Sequence, residues 1–595
     1  MTDVRRVYEL GDLLVSYLER IGVEYVFGIP GGAIEPLYNA LARSARRGGP
    51  RPVVARHESG AAFMADGYAR ETGRLGVCCG TTGPGTTNLI TGVACAYEDQ
   101  IPMLVITAQT ALAYFGRGAF QESSCTGTST VGMFQYCTRY NTLVSHPDQF
   151  EHKLVTAVMS AFHSPNGPVH LSIPLDVLRS SSSVESPSYD LVDLITRFSL
   201  IDYEATVKLC KLMEDARKIV FVIGNGCFEA AGTILDLAAL TNATILATPH
   251  GKGLVNPYHP LFRGVVGFAG HDGANQALTD PNTDLVVAIG TKLGEWATGG
   301  WDCTTLLNER LVHVESVEGW LTRSPMAKLH IRGHLLTIFE YVLAHMCKRR
   351  PDRDVATVTD TWRRQMVENA SRKNGTLNFS MHDALKCFND SMPIKPQRLM
   401  RVLAEIFPPS TCYLADTGNS VAWVTHHLHP FDRRIGGARN TNPGFLRTSL
   451  EFASMAWAIG AAVGTALGHH MLRPVVCITG DGAVLMGGQE ITVAIQERLP
   501  IIFVILNDAA YGMVKHGQRL AGAEPIGYEL PQIDFASYAQ ALGAQGYTIK
   551  FPQDLLELNV RALCEGDGPA VLDVLVDPEE IPPMRTRTRV LQAVK

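Results

Sequence analysis

No two cysteines stand two residues apart in this chain. The 13 cysteines are scattered, and Cys78-Cys79 is the single adjacent pair. A zinc framework and a dithiol redox motif are therefore absent, and reduced thiols in a cytoplasmic chain are expected. A long apolar run is missing too. The stretch 452–468 is punctuated by Gly460, Gly464 and Gly468 and falls short of the roughly 18 apolar residues that mark a membrane span, so it reads as a buried helix. The first 22 residues pattern as an amphipathic helix with Asp12 and Glu19 inside it, which predicts neither export nor a membrane role. Neither sign of charge dominates: 52 Lys and Arg face 58 Asp and Glu, a formal net charge of -6. That balance argues against nucleic acid as the main partner.

Short β-branched or apolar runs alternate with helical patterns along the whole chain. They are VEYVFGIP, RLGVCCGTT, MLVITAQ, KIVFVIGNG, DLVVAIGT, PVVCITGD, PIIFVILND and AVLDVLVD. Such runs are the mark of parallel strands buried on both faces by helices. The 595 residues allow several domains. Two polar stretches, 180–193 and 349–380, divide the pattern. The reading is α/β with three doubly wound parallel-sheet domains at 1–182, 195–350 and 385–575, followed by a tail at 576–595. The first and third blocks read alike in strand and helix order.

The segment 474–513 carries the densest chemistry. A strand through Ile478 delivers Gly480-Asp481-Gly482, a helix is expected over about 488–498, and a strand through Leu506 delivers Asn507-Asp508. Both acids arrive at the carboxyl edge of one sheet, where open α/β sheets bind ligands and glycines let backbone amides approach phosphate. Two carboxylates there would repel a phosphate unless a cation stood between them, and magnesium suits that role. A glycine-flanked aspartate is also an ordinary turn at a strand end.

With an Asn-Asp pair whose second member lies 508 - 481 = 27 positions on, the segment resembles the motif of thiamine-diphosphate enzymes that begins GDG and ends NN. Asp508 stands where that family has asparagine. The resemblance implies a site in which Asp481, Asp508 and the Ala510 carbonyl hold Mg2+, with Gly480, Gly482 and Ala483 beside the diphosphate. It extends to the N-terminal block through GIPGGA, with Gly31 and Gly32, and through GTTGPGTTN, ending at Asn88. Glu58, in VVARHESGAAF, then becomes the carboxylate that meets the aminopyrimidine of the cofactor and enables removal of the thiazolium proton. A glutamate in the first turn of a helix is otherwise ordinary. Met455 takes the place of the apolar wedge beneath the bent cofactor, and Asn419 and Ser420 match positions touching the diphosphate.

Within that family the chain resembles acetolactate synthase large subunits. In GAFQESS, Phe120 and Gln121 match residues facing the reacting carbon, and Met513 and Val514 in YGMVKHGQ match pocket residues. The N-terminal block has no adjacent His-His pair, such as the pyruvate-decarboxylase branch uses, which favours carboligation over release of aldehyde. Gly517 replaces the tryptophan that selects 2-oxobutyrate in biosynthetic synthases, so pyruvate, an aldehyde or a bulkier 2-oxo compound is the expected acceptor. His516 is a candidate proton donor, set against an ordinary surface or loop histidine. The middle block resembles an FAD-holding domain, but Lys292, Leu293, Gly294 and Glu295 replace an arginine-rich segment, which leaves flavin retention open. The resemblance also implies a homodimer or homotetramer with Glu58 and Asp481 meeting across subunits. The alternative readings are a 2-oxo acid decarboxylase or 2-hydroxyacyl lyase on the same fold, and a binding protein that has lost catalysis, against which the three intact acids argue.

Overall fold

The chain is seen here in a computed structural model that describes residues 8–182, 184, 186–195, 199–371, 377–431, 444–584 and 590. All eight apolar runs form strands, within three six-stranded sheets whose ladders are parallel throughout. The first sheet holds β1 (Tyr25–Gly28), β2 (Arg51–Val54), β3 (Gly76–Gly80), β4 (Met103–Gln109), β5 (Tyr140–Leu143) and β6 (Pro168–Pro174). The central sheet holds β7 (Ile219–Ile223), β8 (Thr244–Ala247), β9 (Phe262–Val265), β10 (Leu285–Ile289), β11 (Leu311–Glu315) and β12 (Leu329–Arg332). The third holds β13 (Cys412–Ala415), β14 (Leu446–Thr448), β15 (Val475–Gly480), β16 (Ile501–Asn507), β17 (Gln545–Ile549) and β18 (Ala570–Leu575). Every residue of β3, β4, β6, β7, β10 and β16 is buried, as helices on both faces require.

The outer sheets share one topology. Their orders are β2-β1-β3-β4-β6-β5 and β14-β13-β15-β16-β18-β17, which become identical when each sheet is numbered from its own first strand. The central sheet runs β12-β11-β10-β7-β8-β9, the strand order of dinucleotide-binding folds.

Six helices place the functional residues: α1 (Glu58–Thr72), α2 (Asn419–His427), α3 (Trp457–Gly468), α4 (Asp481–Gly487), α5 (Ile491–Gln496) and α6 (Gly512–Ala521). The helix expected over 488–498 begins earlier, because Asp481 itself opens α4. Its carboxylate accepts the Gly482 amide at 2.7 Å, an acid in the first turn where the helix dipole favours it. A turn at Gly488–Glu490 then leads into α5. The N-terminal helix covers Leu10–Arg20. Of the run 452–468, only Trp457–Gly468 forms α3, in which every residue from Trp457 to Leu467 is buried, while Phe452 lies exposed ahead of it. No described helix is long and apolar enough to cross a membrane.

The outer domains meet where α1 crosses α3, within one core cluster that joins Ala61, Phe63, Met64 and Tyr68 to Trp457, Ile459, Ala462 and Val463. Glycines set the separation. A Cβ on Gly67 would overlap the Ala461 carbonyl, one on Gly464 the Met64 carbonyl, and one on Gly460 would lie 2.7 Å from the Phe63 Cβ. The crossing is pinned by polar groups: Trp457 Nε1 donates to Asp66 at 3.1 Å, and Arg70 bridges Asp66 and Asp99 at 2.5 and 2.7 Å. Buried charges persist when paired in this way.

Candidate active site

At the carboxyl edge of the third sheet the chain leaves β13 and β15 in opposite directions, and a cleft opens at that switch point. Three loops build it. The loop after β13 brings Thr417, Gly418, Asn419 and Ser420, the one after β15 brings Gly480 to Ala483, and the one after β16 brings Asp508 and Ala510 to Val514. Gly480 pairs with Leu506 across the ladder, which sets Asp481 and Asp508 at adjoining strand ends.

Their electrostatics describe two acids crowded together out of water. Burial pushes the Asp481 carboxyl up to about 6, although the Gly482 amide and those of residues 508–510 oppose this. Burial, and then the charge of Asp481, push Asp508 up to about 7. Asp481 Oδ2 and Asn419 Oδ1 are buried without a hydrogen-bond partner. An unpartnered carboxylate oxygen facing a second acid is a donor set for a hard cation. Among the described residues no group of three or more His, Cys, Asp or Glu side chains could hold a metal. The cradle needs its glycines: a Cβ on Gly482 would lie 2.6 Å from the Tyr511 ring, and one on Gly512 would overlap the Asn419 side chain and lie 2.7 Å from Asp508. Ala509, between Asp508 and Ala510, has φ 52°. That left-handed turn is held by pairing of Tyr511 N with Tyr528 O and Leu530 N with Ala509 O.

A second cavity lies between the outer domains and is lined by His57, Ser59, Asn88, Met455, Met486 and Glu490, among others. Met455 lines both cavities. It stands on a turn whose flanking Ala453 and Ala456 both have positive φ. Asp416 holds that turn, accepting the amides of Ala456 and Ala458 at 3.0 and 3.4 Å and the Thr479 hydroxyl at 2.9 Å.

Glu58 opens α1 behind His57, whose side chain caps the helix by accepting the Ser59 amide. Its buried carboxylate accepts Asn88 Nδ2 at 2.9 Å, so Glu58 and Asn88 are brought together. Gly31 faces Thr81, where a Cβ would come within 2.7 Å, whereas beside Gly32 there is open space. Among the described residues, none of the N-terminal domain lines the acid-bearing cleft.

Phe120 is 86% exposed at the tip of a lobe, and Gln121 adopts φ 56°. Thr82 donates to Gln121 Oε1 at 3.3 Å, and Glu122 gathers the lobe by accepting the Gly116 amide at 2.8 Å and the Ser124 and Thr126 hydroxyls. Met513 and Val514 line the cleft, while His516 and Gly517 do not. The reading of His516 as a surface or loop residue is corrected: it lies on α6 and is 1% exposed. Burial pushes its imidazole down to about 4. Beside Gly517 there is open space. In the central domain Lys292 donates to the Glu98 carbonyl and sits 4.9 Å from the centre of the Trp320 ring.

Sequence reasoning missed Asp416, Glu122 and Glu490. The Glu490 carboxyl is pushed up to about 7 by burial, against the amides of Arg56 and His57. No local pattern signals it: Glu490 stands just before α5, and the amides it accepts lie in the N-terminal domain.

Comparison with known proteins identifies the three domains. Residues 8–128 match the N-terminal TPP binding domain of thiamine pyrophosphate enzymes, 207–341 the central domain and 416–574 the C-terminal TPP binding domain. The chain is 28% identical to the acetolactate synthase isozyme 2 large subunit of Escherichia coli, over 97% of this chain and 98% of that protein. It is 27% identical to a probable acetolactate synthase large subunit of Methanococcus aeolicus (98% and 95%) and 29% identical to one of Methanocaldococcus jannaschii (98% and 95%). Three domain matches in order, with the acid pair at the switch point of the third, mean that the chain belongs to the thiamine pyrophosphate enzymes, as an acetolactate-synthase-like member.

Proposed function

We propose that the protein is a carboligase that decarboxylates pyruvate or a related 2-oxo acid and joins the resulting acyl carbon to a second carbonyl. The observation that carries this reading is the pairing of Asp481 with Asp508 in a glycine-cradled cleft whose wall includes Met455. Thiamine diphosphate, when bound, supplies the carbanion chemistry. Asp481, Asp508 and the Ala510 carbonyl would hold Mg2+, which would offset the charge of the two acids toward a diphosphate. Gly480, Gly482, Ala483, Asn419 and Ser420 would hold the diphosphate, and Met455 would pack beneath the cofactor. Glu58, steadied by Asn88, exchanges a hydrogen bond with the aminopyrimidine and so promotes removal of the reactive proton.

The active unit is a homo-oligomer in which Glu58 of one subunit faces the cleft of its partner. The absence of any N-terminal-domain residue from the cleft lining supports this, as does the exposure of Phe120, which with Gln121 would then reach the partner's substrate. The acceptor is pyruvate, an aldehyde or a bulkier 2-oxo compound, a reading that rests on the resemblance at Gly517, which lies outside the cleft of this chain. The reaction is no net oxidation, so a flavin held by the central domain would be structural. We place the enzyme in the cytoplasm.

The test follows carbon dioxide and acyloin together from pyruvate, thiamine diphosphate and Mg2+. Coupled acetolactate is expected; carbon dioxide alone would replace the carboligase by a decarboxylase. Product ratios with and without 2-oxobutyrate test the acceptor, and a strong 2-oxobutyrate preference would overturn that part.

A further inference from the structure

Glu58 is carried by a turn that the C-terminal domain of its own chain grips. Glu490, 2% exposed, lies immediately before α5. One of its oxygens accepts the backbone amides of His57 at 2.8 Å and Arg56 at 3.1 Å, and the other accepts Arg56 N at 3.2 Å. The Arg56 side chain closes the grip from the other direction: Nε donates to Thr492 Oγ1 at 2.8 Å and a terminal nitrogen to Gln496 Oε1 at 2.9 Å. Gly60 makes the approach possible, because a Cβ there would overlap the Glu490 carboxylate. The two residues before Glu58 are thus tied to α5 by backbone and side chain. The direction in which the Glu58 carboxylate leaves the start of α1 is set by that tie, since α1 cannot slide along α3 without losing its glycine contacts.

We infer that Glu490 is a positioning residue for Glu58, holding the Arg56-His57 amides so that the Glu58 carboxylate meets the aminopyrimidine at the angle proton removal requires. This rests on the proposed role of Glu58. It gives Glu490, nine positions after Asp481, a role distinct from cofactor retention, because it contacts the turn that bears the activating acid and does not line the acid-bearing cleft.

Three variants and two readouts test it: Glu490→Gln, Glu490→Ala and Gly60→Ala, beside a Glu58→Gln control. The first readout is amide hydrogen exchange of the 53–60 segment in the cofactor-free protein. The second is exchange of the reactive cofactor proton in the assembled holoenzyme, measured alongside cofactor affinity. Glu490→Ala is expected to speed amide exchange and to slow cofactor-proton exchange roughly 10- to 100-fold, the scale of a misplacement of about 1 Å, with affinity unchanged. Glu490→Gln keeps an acceptor oxygen and recovers most of both. If Glu490→Ala does not fold, Gly60→Ala displaces the same carboxylate from the opposite side and is expected to show the same split. Wild-type cofactor-proton exchange in a folded Glu490→Ala or Gly60→Ala holoenzyme overturns the inference. If Glu58→Gln also exchanges at the wild-type rate, it is the proposed role of Glu58 that fails.

Discussion

The two outer domains share a strand order and differ in the connection that leaves the second strand. In the N-terminal domain only residues 55–57 separate β2 from α1, and the helix opens directly on Glu58. In the C-terminal domain residues 449–456 separate β14 from α3, and the longer connection carries Met455 between left-handed Ala453 and Ala456. The helices at the far ends of these connections, α1 and α3, are counterparts and pack on each other. A difference also separates the loops after the third strand: the first domain gives GTTGPG, whose Gly85 lies beside the Glu58 carboxylate, and the third gives GDG, which presents Asp481. One architecture therefore supplies two unlike halves of a site, and loop length together with the residue at each strand end decides which half a domain becomes.

Removing the chemistry of each half should break the comparison differently. Glu58→Gln is expected to lower turnover by about 10²- to 10⁴-fold, the range of general acid–base catalysis, while cofactor and Mg2+ still bind, as titration calorimetry would register. Asp481→Asn should weaken Mg2+ by at least about 10-fold, the level at which even an outer-sphere partner matters to a metal site, and excess Mg2+ should restore part of the rate. If excess Mg2+ rescued the Glu58 variant, or if Asp481→Asn lost activity with unchanged Mg2+ affinity, the division of labour would be wrong. The helix crossing tests what the halves share. Gly464→Ala drives a Cβ into the Met64 carbonyl and should cost at least about 1–3 kcal/mol by overpacking, visible as a lower Tm. The same substitution at Gly32, beside open space, should leave Tm within about 0.5 kcal/mol of wild type in stability.

Much of this was legible in the chain because parallel strands buried on both faces are continuous apolar runs, and acids directly after such runs land on the ligand-binding edge. Asp481 and Asp508 could be read for that reason. Asp416 and Glu490 could not, because their partners are backbone amides 40 and more than 400 positions away, and no local pattern encodes such a pair. His516 was misread because α6 buries one stripe at helical spacing: Met513 and Leu520 pack against the third-domain core, and His516 lies between them on the same face. Likewise α4 begins at Asp481, ahead of the expected 488, because a glycine-rich start looks like a loop until the Tyr511 ring is seen filling the space beside Gly482.

The smallest expected effect concerns the acid in the family's asparagine position. Asp481 and Asp508 have carboxyls pushed up to about 6 and 7 in the cation-free protein. Because these values lie above those of an unfolded chain, the cation-free protein binds more protons folded than unfolded and loses stability as pH rises from about 4 through about 7. On the proposed site, Mg2+ binding would oppose that loss, since it would need both carboxylates and compete with their protons. The increase in Tm given by Mg2+ should therefore be small at pH 5 and grow until about pH 8. Asp508→Asn removes the like charge that burial forces against Asp481, so the growth should set in at lower pH, near the titration of Asp481 alone. The plateau at pH 8 should differ from wild type by less than about 1 kcal/mol, because losing one ligand charge and losing one repulsion have opposite signs. A wild-type Mg2+ increment that is flat from pH 5 to 8 would mean that the two acids do not share the cation. An unchanged onset in Asp508→Asn would place the cation on Asp481 alone.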